Sequence, residues 1–322
     1  MANNQDYWIE RARRTIEEES KLDAEVLEHV RQIISMIIQD IEKEIYTFYA
    51  KYASKEGVTI AEAKKKIDTT DIREFEDRVK RYVENKDFSD KANKELRQYN
   101  TKMYVSREQL LKQQLNVIYT YGTALVECEM YEYMTEAVNR EVLRQSGILG
   151  QTVQIKPSHV RAIVNASFQG MKWSTRLWRD SDEVRKHVEK TVSNVMLRGR
   201  HPNEFVPELK KKMGVTTSQA KRLLITETAR VQTEAQKLRY LEMSGPDSEY
   251  EYVAKLDEKT SDTCRGLDGK VFKVKDMTPG VNAPPMHPNC RSTTVPHVGN
   301  RLEEFLKSRK GKYNMDKFFE ED

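Results

Sequence analysis

The densest set of chemically capable side chains runs from Asp257 to Arg291 and comprises Asp257, Asp262, Cys264, Asp268, His287, Cys290 and Arg291. Two thiols and an imidazole within 27 residues are donor types that bind zinc. The spacing of His287-Pro288-Asn289-Cys290 lets both ends of a turn reach one ion, with Cys264 as third ligand and an aspartate as fourth. A structural zinc site ordinarily has two complete ligand pairs, and here Ser261 stands three residues before Cys264, where its pair would be. A second reading needs no metal: Asp257, Asp262 and Arg291 make charge-assisted bonds, Gly269 allows a turn, and the prolines fix the return path of a small β unit. A disulfide between Cys264 and Cys290 is a third reading under oxidising conditions. Nucleophilic catalysis can also be drawn, with Cys264 attacking, His287 as base and Asp257 orienting it. No nucleophile elbow, oxyanion motif or phosphate-cradling glycine loop accompanies that set, so the expectation is a protein that is not an enzyme. No cofactor is expected, and the metal that the pattern admits is zinc on Cys264, His287 and Cys290.

Two further groupings combine charge with helical or aromatic context. Glu227 and Arg230 follow Arg222 and Thr226 in one helical stretch, at spacings where Arg222 can pair with Thr226 and Glu227 with Arg230. A carboxylate so placed reads as structural. Trp173, Arg176 and Trp178 join large apolar area to a cation, which suits an arginine stacked on indole, an anchor in a core or subunit contact, or stacking on nucleic acid. The packing anchor is the preferred reading.

These groups must be held by a mainly α chain with a small C-terminal α+β unit. Residues 7–53 contain no Gly or Pro, and Val26, Val30, Ile33, Ile37, Ile41, Ile45 and Phe48 recur at spacings of three or four, which predicts a long amphipathic helix. Thr59 and Glu62 form a capping box for a short helix. Another helix carries Ile72, Phe75, Val79, Tyr82 and Val83, and the stripe Leu110, Leu111, Leu115, Ile118, Leu125 and Met130 continues to about residue 143. Residues 147–157 read as a linker with a β-like run at 152–155. Beyond it the pattern predicts a helix at 182–197, a short helix at 204–213 ended by Gly214, and a long helix from Thr217 or Ser218 to Met243. Residues 250–256 and 270–274 read as antiparallel strands joined through a turn at Gly269, and 292–295 as an edge strand, giving a short sheet near 250–295. The predicted organisation is an elongated helical domain at 1–150, an α+β domain at 151–298, and a charged, partly mobile tail at 299–322 with one helix around 302–306.

Composition narrows the class. A chain of 322 residues with 33% charged and 38% hydrophobic residues has more solvated surface than a compact enzyme usually carries, as a mean hydropathy of -0.78 also indicates. Charge is divided unevenly: residues 1–150 hold 24 Lys and Arg against 28 Asp and Glu, while 151–322 hold 31 against 23. The basic second half is compatible with weak, non-specific contact to double-stranded DNA, and equally with ordinary solvated helix faces. Cys128, Cys264 and Cys290 are widely separated and no apolar leader precedes them, which suits a reducing cytoplasm rather than a secreted disulfide scaffold. No run approaches the length of a membrane span, so no membrane partner is expected.

The segment Leu256-Asp257, Thr260-Ser261-Asp262-Thr263-Cys264-Arg265, Leu267-Asp268-Gly269-Lys270-Val271-Phe272 and Pro284-Pro285-Met286-His287-Pro288-Asn289-Cys290-Arg291-Ser292 resembles the C-terminal signature of phage head morphogenesis proteins, the minor head or Mu F-like family. Thr226-Glu227-Thr228-Ala229-Arg230, the Trp173 to Trp178 segment, and the start Tyr7-Trp8 with Arg11 are similar to the same family. Many relatives have cysteines at the positions of Ser261 and Ser292, and their joint absence here suggests that the two positions depend on each other. The resemblance implies that 151–298 is a Mu F-like domain in a minor head protein of a tailed bacteriophage, present in a few copies. It also implies association with the portal protein and with capsid or scaffold proteins, and action in head assembly and in DNA packaging or delivery. Its location would be the head interior near the portal, after assembly in the host cytoplasm. A toxin-like or hydrolytic effector carrying the same unit is an alternative; about 30 residues follow Arg291, which is expected to be too few for an added catalytic domain. A cytosolic helical adaptor is another, but it leaves the signature unexplained.

Overall fold

The computed structural model describes residues 4–52, 69–84, 88–91, 93–94, 107–149, 155–198 and 206–297. Seven helices and three strands are formed among them: α1 (Asn4–Tyr52), α2 (Thr69–Glu84), α3 (Arg107–Leu149), α4 (Pro157–Val164), α5 (Trp173–Arg198), α6 (Val206–Ser244), β1 (Glu249–Val253), α7 (Asp262–Leu267), β2 (Val271–Lys273) and β3 (Thr293–His297). The fold is therefore mainly helical with a small antiparallel sheet near the C-terminal end, as the periodicities predict. The expected capping box at Thr59, the β-like run at 152–154 and the tail helix at 302–306 lie outside the described residues.

Contacts divide the chain into two units that are not sequential. One comprises Met1–Lys21, Arg140–Gln154 and Ala229–Asp322; the other comprises Leu22–Asn139 and Ile155–Thr228. Where the sequence reading cuts at residue 150, this division instead passes inside α1, α3 and α6.

The second unit is helical. In α3, six consecutive residues from Leu115 to Thr120 are buried, so this stretch is enclosed on every side rather than along one stripe. Leu115 and Val117 are wholly buried, and each such aliphatic side chain contributes roughly 1.5–3 kcal/mol. Gly122 permits the close approach of α1: a Cβ there would lie 2.1 Å from Ile37 Cδ1, so even alanine would clash.

Two predicted boundaries are corrected in this unit. Gly214 does not end a helix, because α6 runs unbroken from Val206 to Ser244. A glycine inside a helix costs about 1 kcal/mol relative to alanine, but the apolar stripe Leu209, Met213, Ala220 and Leu224 continues across it and is buried. The hydroxyls that resemble caps, those of Thr216, Thr217 and Ser218, donate instead to the carbonyls four residues earlier, at Lys212, Met213 and Gly214. Likewise α5 starts at Trp173 rather than near Asp182, with Trp173, Leu177, Ser181, Val184 and Val188 buried along one face.

The first unit is built around the sheet, in the order β2-β1-β3 with both pairings antiparallel. As the central strand, β1 is covered on both faces. Tyr250 and Tyr252 point to one side, while Val253 packs with Ala12, Val295, Trp8 and Ile9 on the other, where Gln5 Nε2 also donates to Glu251 at 2.8 Å. The edge strand β3 accommodates Pro296 opposite Tyr250. Gln236 of α6 ties this edge down: its amide nitrogen donates to Thr293 Oγ1 at 2.9 Å and its amide oxygen accepts from Thr294 Oγ1 at 2.7 Å. The same nitrogen reaches Glu141, whose other oxygen binds Arg144. Arg144 and Arg140 in turn clamp Glu19, at 2.6 and 2.9 Å. Burial works against ionisation of Glu19, yet the two guanidiniums outweigh it and hold the carboxyl below its usual range.

Candidate functional site: a cysteine and histidine cluster beside the sheet

The loop from β1 to β2 contains α7, which the sequence reading passed over as a simple turn. Six residues are too few to show a 3.6-residue period. The signal available was local: Ser261 caps the helix, its Oγ accepting from Cys264 N at 3.2 Å, and Asp262 follows in the first turn. The cap fixes Cys264 on the inner side of α7. Gly269 closes the loop at φ 75, donating its N–H to Tyr252 O, and Asp268 accepts from Ala254 N at 2.8 Å. These bonds attach the C-terminal end of α7 to β1 and the residue after it.

The second arm is the turn His287-Pro288-Asn289-Cys290, closed by Cys290 N donating to His287 O at 3.1 Å, with Asn289 at φ 61, a conformation that Asn tolerates better than most residues. Arg291 pairs with Asp257 at 2.9 Å and so joins the end of this turn to the start of the α7 loop. Burial opposes the Asp257 charge, but the Lys259 N–H and the Arg291 guanidinium hold its carboxyl below the ordinary range. Thr260 also donates to Asp257.

Between the arms, Cys264 Sγ lies 3.2 Å from His287 Nε2 and 3.7 Å from Cys290 Sγ. The three donor atoms all lie within 4.8 Å of one another. Cys264 is 2% exposed and Cys290 1%, whereas His287 is half-buried. Tyr252 OH, from β1, donates to Cys264 Sγ at 3.2 Å and lies 4.0 Å from Cys290 Sγ. Ala254, Leu267, Phe272 and Met286 complete an apolar wall. The hydrogen bond with Cys290, helped by the Ser261, Ser292 and Tyr252 hydroxyls, drives the Cys264 thiol far down, to about 4. Its partner is pushed the other way, first by that same bond and then by burial.

Of the residues singled out from sequence, Cys264, His287 and Cys290 meet at one point, and Asp257, Asp268, Gly269 and Arg291 frame them. Asp262 is exposed on α7. The expected fourth aspartate ligand is a correction: the group of donors that converges among the described residues contains no carboxylate. Asp257 is bonded to Arg291 and Asp268 to the Ala254 N–H. The drawn catalytic set fails at the same place, since His287 Nδ1 faces Pro288 O at 2.9 Å rather than Asp257. Tyr252 was missed; only the alternation of Tyr250 and Tyr252 on β1 could have flagged it.

Arg222, Thr226 and Glu227, like the segment Trp173 to Trp178, belong to the second unit. Glu227 binds Arg176 of α5 at 3.1 Å and is fully buried. Thr226 Oγ1 donates to the Arg222 carbonyl, leaving the Arg222 side chain exposed. Trp173 and Trp178 are both buried, the second donating its indole N–H to Glu127 at 3.0 Å. The alternative of an arginine on an indole is not what forms: Arg176 sits over Phe168, at 5.9 Å, and a cation over Trp178 is Lys91, at 4.9 Å. Among the described residues no helix is long and apolar enough to cross a membrane.

Residues 186–295 match the family described as Phage Mu protein F like protein, a span that includes both arms of the cluster and ends inside β3. An NAD(+)--arginine ADP-ribosyltransferase EFV from Enterococcus faecalis (strain ATCC 700802 / V583) is 24% identical over 239 residues, covering 68% of this chain and 49% of that protein. The chain thus spans about half the length of that curated relative. No solved structure matches significantly.

Proposed function

We propose that this chain, in which residues 186–295 are a Mu F-like segment, is a minor head protein of a tailed bacteriophage that works beside the portal. The observation that carries the reading is the family match itself, which takes in the β1-α7-β2 module. In this role the protein is a contact-making component rather than a catalyst. Its partners are the portal protein and capsid or scaffold proteins, and it acts in head assembly and in DNA packaging or delivery from the virion interior. Three physical features support a holding role. The two sulfurs are buried, the module is closed by hydrogen bonds back to β1 and by the Asp257–Arg291 pair, and the basic half of the sequence suits loose contact with phosphate.

Sedimentation tests it. Co-expressed with the portal, scaffold and major capsid proteins of its own genome, the chain is expected to travel with portal oligomers or with particles. With duplex DNA it is expected to sediment at low salt and to be released as salt rises. A chain that stays at the top of every gradient overturns the reading.

The name of the enterococcal relative favours a second reading, transfer of ADP-ribose from NAD+ to arginine. Incubation with labelled NAD+ and an arginine-rich acceptor separates the two. No label should be transferred if the head-protein reading is right.

A further inference from the structure

We propose that Cys264, His287 and Cys290 form a binding site for one thiophilic divalent cation of the zinc type, with three protein donors and a fourth position for water or an outside donor. The inference is independent of the head-protein reading.

Geometry is the first argument. With metal–sulfur bonds of about 2.3 Å and metal–nitrogen bonds of about 2.0–2.1 Å, a tetrahedral ion separates two thiolates by about 3.8 Å and a thiolate from an imidazole nitrogen by about 3.6 Å. The corresponding distances are 3.7 and 3.2 Å. All three donor atoms lie within 4.8 Å of one another, and the adjustment toward a tetrahedron falls on His287, the half-buried, turn-borne member.

The imidazole is also oriented for the task. The Pro288 carbonyl can only accept, so the 2.9 Å contact places a proton on His287 Nδ1 and leaves Nε2 as the nitrogen available to an ion, turned toward Cys264 Sγ. A ligating histidine held through its other nitrogen by a carbonyl is the usual outer support of a metal site. Tyr252 OH supplies a similar outer contact to sulfur at 3.2 Å.

The donor set then selects the ion. One nitrogen and two sulfurs, with Asp257 and Asp268 committed elsewhere, disfavour magnesium and calcium, which take oxygen ligands, and favour zinc or a related soft ion. On binding, any proton still held by a ligating sulfur passes to solvent as the two metal–sulfur bonds and one metal–nitrogen bond form. No oxidation is involved.

The test uses the full chain, purified in reductant, loaded with zinc or cobalt(II), and dialysed against a weak chelator. About one metal per chain is expected by elemental analysis. The cobalt form should show intense visible bands of a tetrahedral ion and a near-ultraviolet thiolate-to-metal band. Cys264→Ser should weaken the charge-transfer band. His287→Ala, which leaves both buried sulfurs in place, should keep the far-ultraviolet circular dichroism and lose more metal affinity than the roughly 10–100-fold that removal of a mere outer support costs. A folded wild-type chain that retains no metal overturns the proposal, as does a His287→Ala chain that binds as tightly as wild type. A mass lower by two hydrogens, with Cys264 and Cys290 joined despite reductant, overturns it in favour of a disulfide.

Discussion

Replacing Glu227 with alanine is expected to destabilise the helical unit by about 3 kcal/mol, at the lower end of the roughly 3–5 kcal/mol that breaking a buried ion pair costs. Glu227 is fully buried and its partner Arg176 is 17% exposed, so removing the carboxylate strands a guanidinium that water reaches only in part. Arg176 retains the Phe168 carbonyl and the Phe168 ring, which keeps the loss below the upper end of that range. Glu227→Gln keeps an acceptor for Arg176 and loses only the charge, so it should cost about half as much. Urea unfolding followed by tryptophan fluorescence reads the effect where it occurs, since Trp173 and Trp178 belong to the same unit as Glu227. If the alanine and glutamine variants unfold at the same urea concentration as wild type, the pair contributes nothing to holding α5 and α6 together.

The Arg176–Glu227 bond also shows where sequence reading stops. Glu227 was legible as a structural carboxylate, and Arg230 was its natural partner at one-turn spacing. The partner found lies 51 residues away on another helix. Periodicity tells which face of a helix is apolar but carries no information about which other face it meets. Glu19 makes the same point, clamped by arginines more than 120 residues later. Local geometry was more accessible. The strands at the sheet were legible from alternation, and Cys264, His287 and Cys290 were legible as a set because the Pro-Asn turn fixes two of them at short range. The aspartate expected beside them was not excluded by any local rule; it is the Arg291 pairing, a tertiary fact, that removes Asp257. The continuity of α6 through Gly214 was obscured by three hydroxyl residues that have cap chemistry but donate within the helix.

Trp178→Ala is expected to have the largest effect of any single change in the helical unit, about 3–5 kcal/mol. The indole is almost wholly buried in a cluster with Phe75, Val79, Phe88, Leu110, Val117 and Ala124, so truncation opens a large cavity. It also strips a donor from Glu127, whose same oxygen accepts from Ser89 Oγ at 2.7 Å, and removes the ring beneath the Lys91 ammonium. Phenylalanine separates these contributions. Trp178→Phe keeps most of the apolar volume but loses the 3.0 Å bond to Glu127, a hydrogen bond to a charged group worth roughly 1.5–3 kcal/mol. Trp173 is as deeply buried, yet its indole N–H has no hydrogen-bond partner among the described residues. Trp173→Phe should therefore cost clearly less than Trp178→Phe, because it removes a donor that is already desolvated and unpaired. The two variants compared by urea unfolding decide between hydrogen bonding and volume. Equal losses at the two positions would mean that cavity size alone governs both and that the Trp178–Glu127 bond adds nothing.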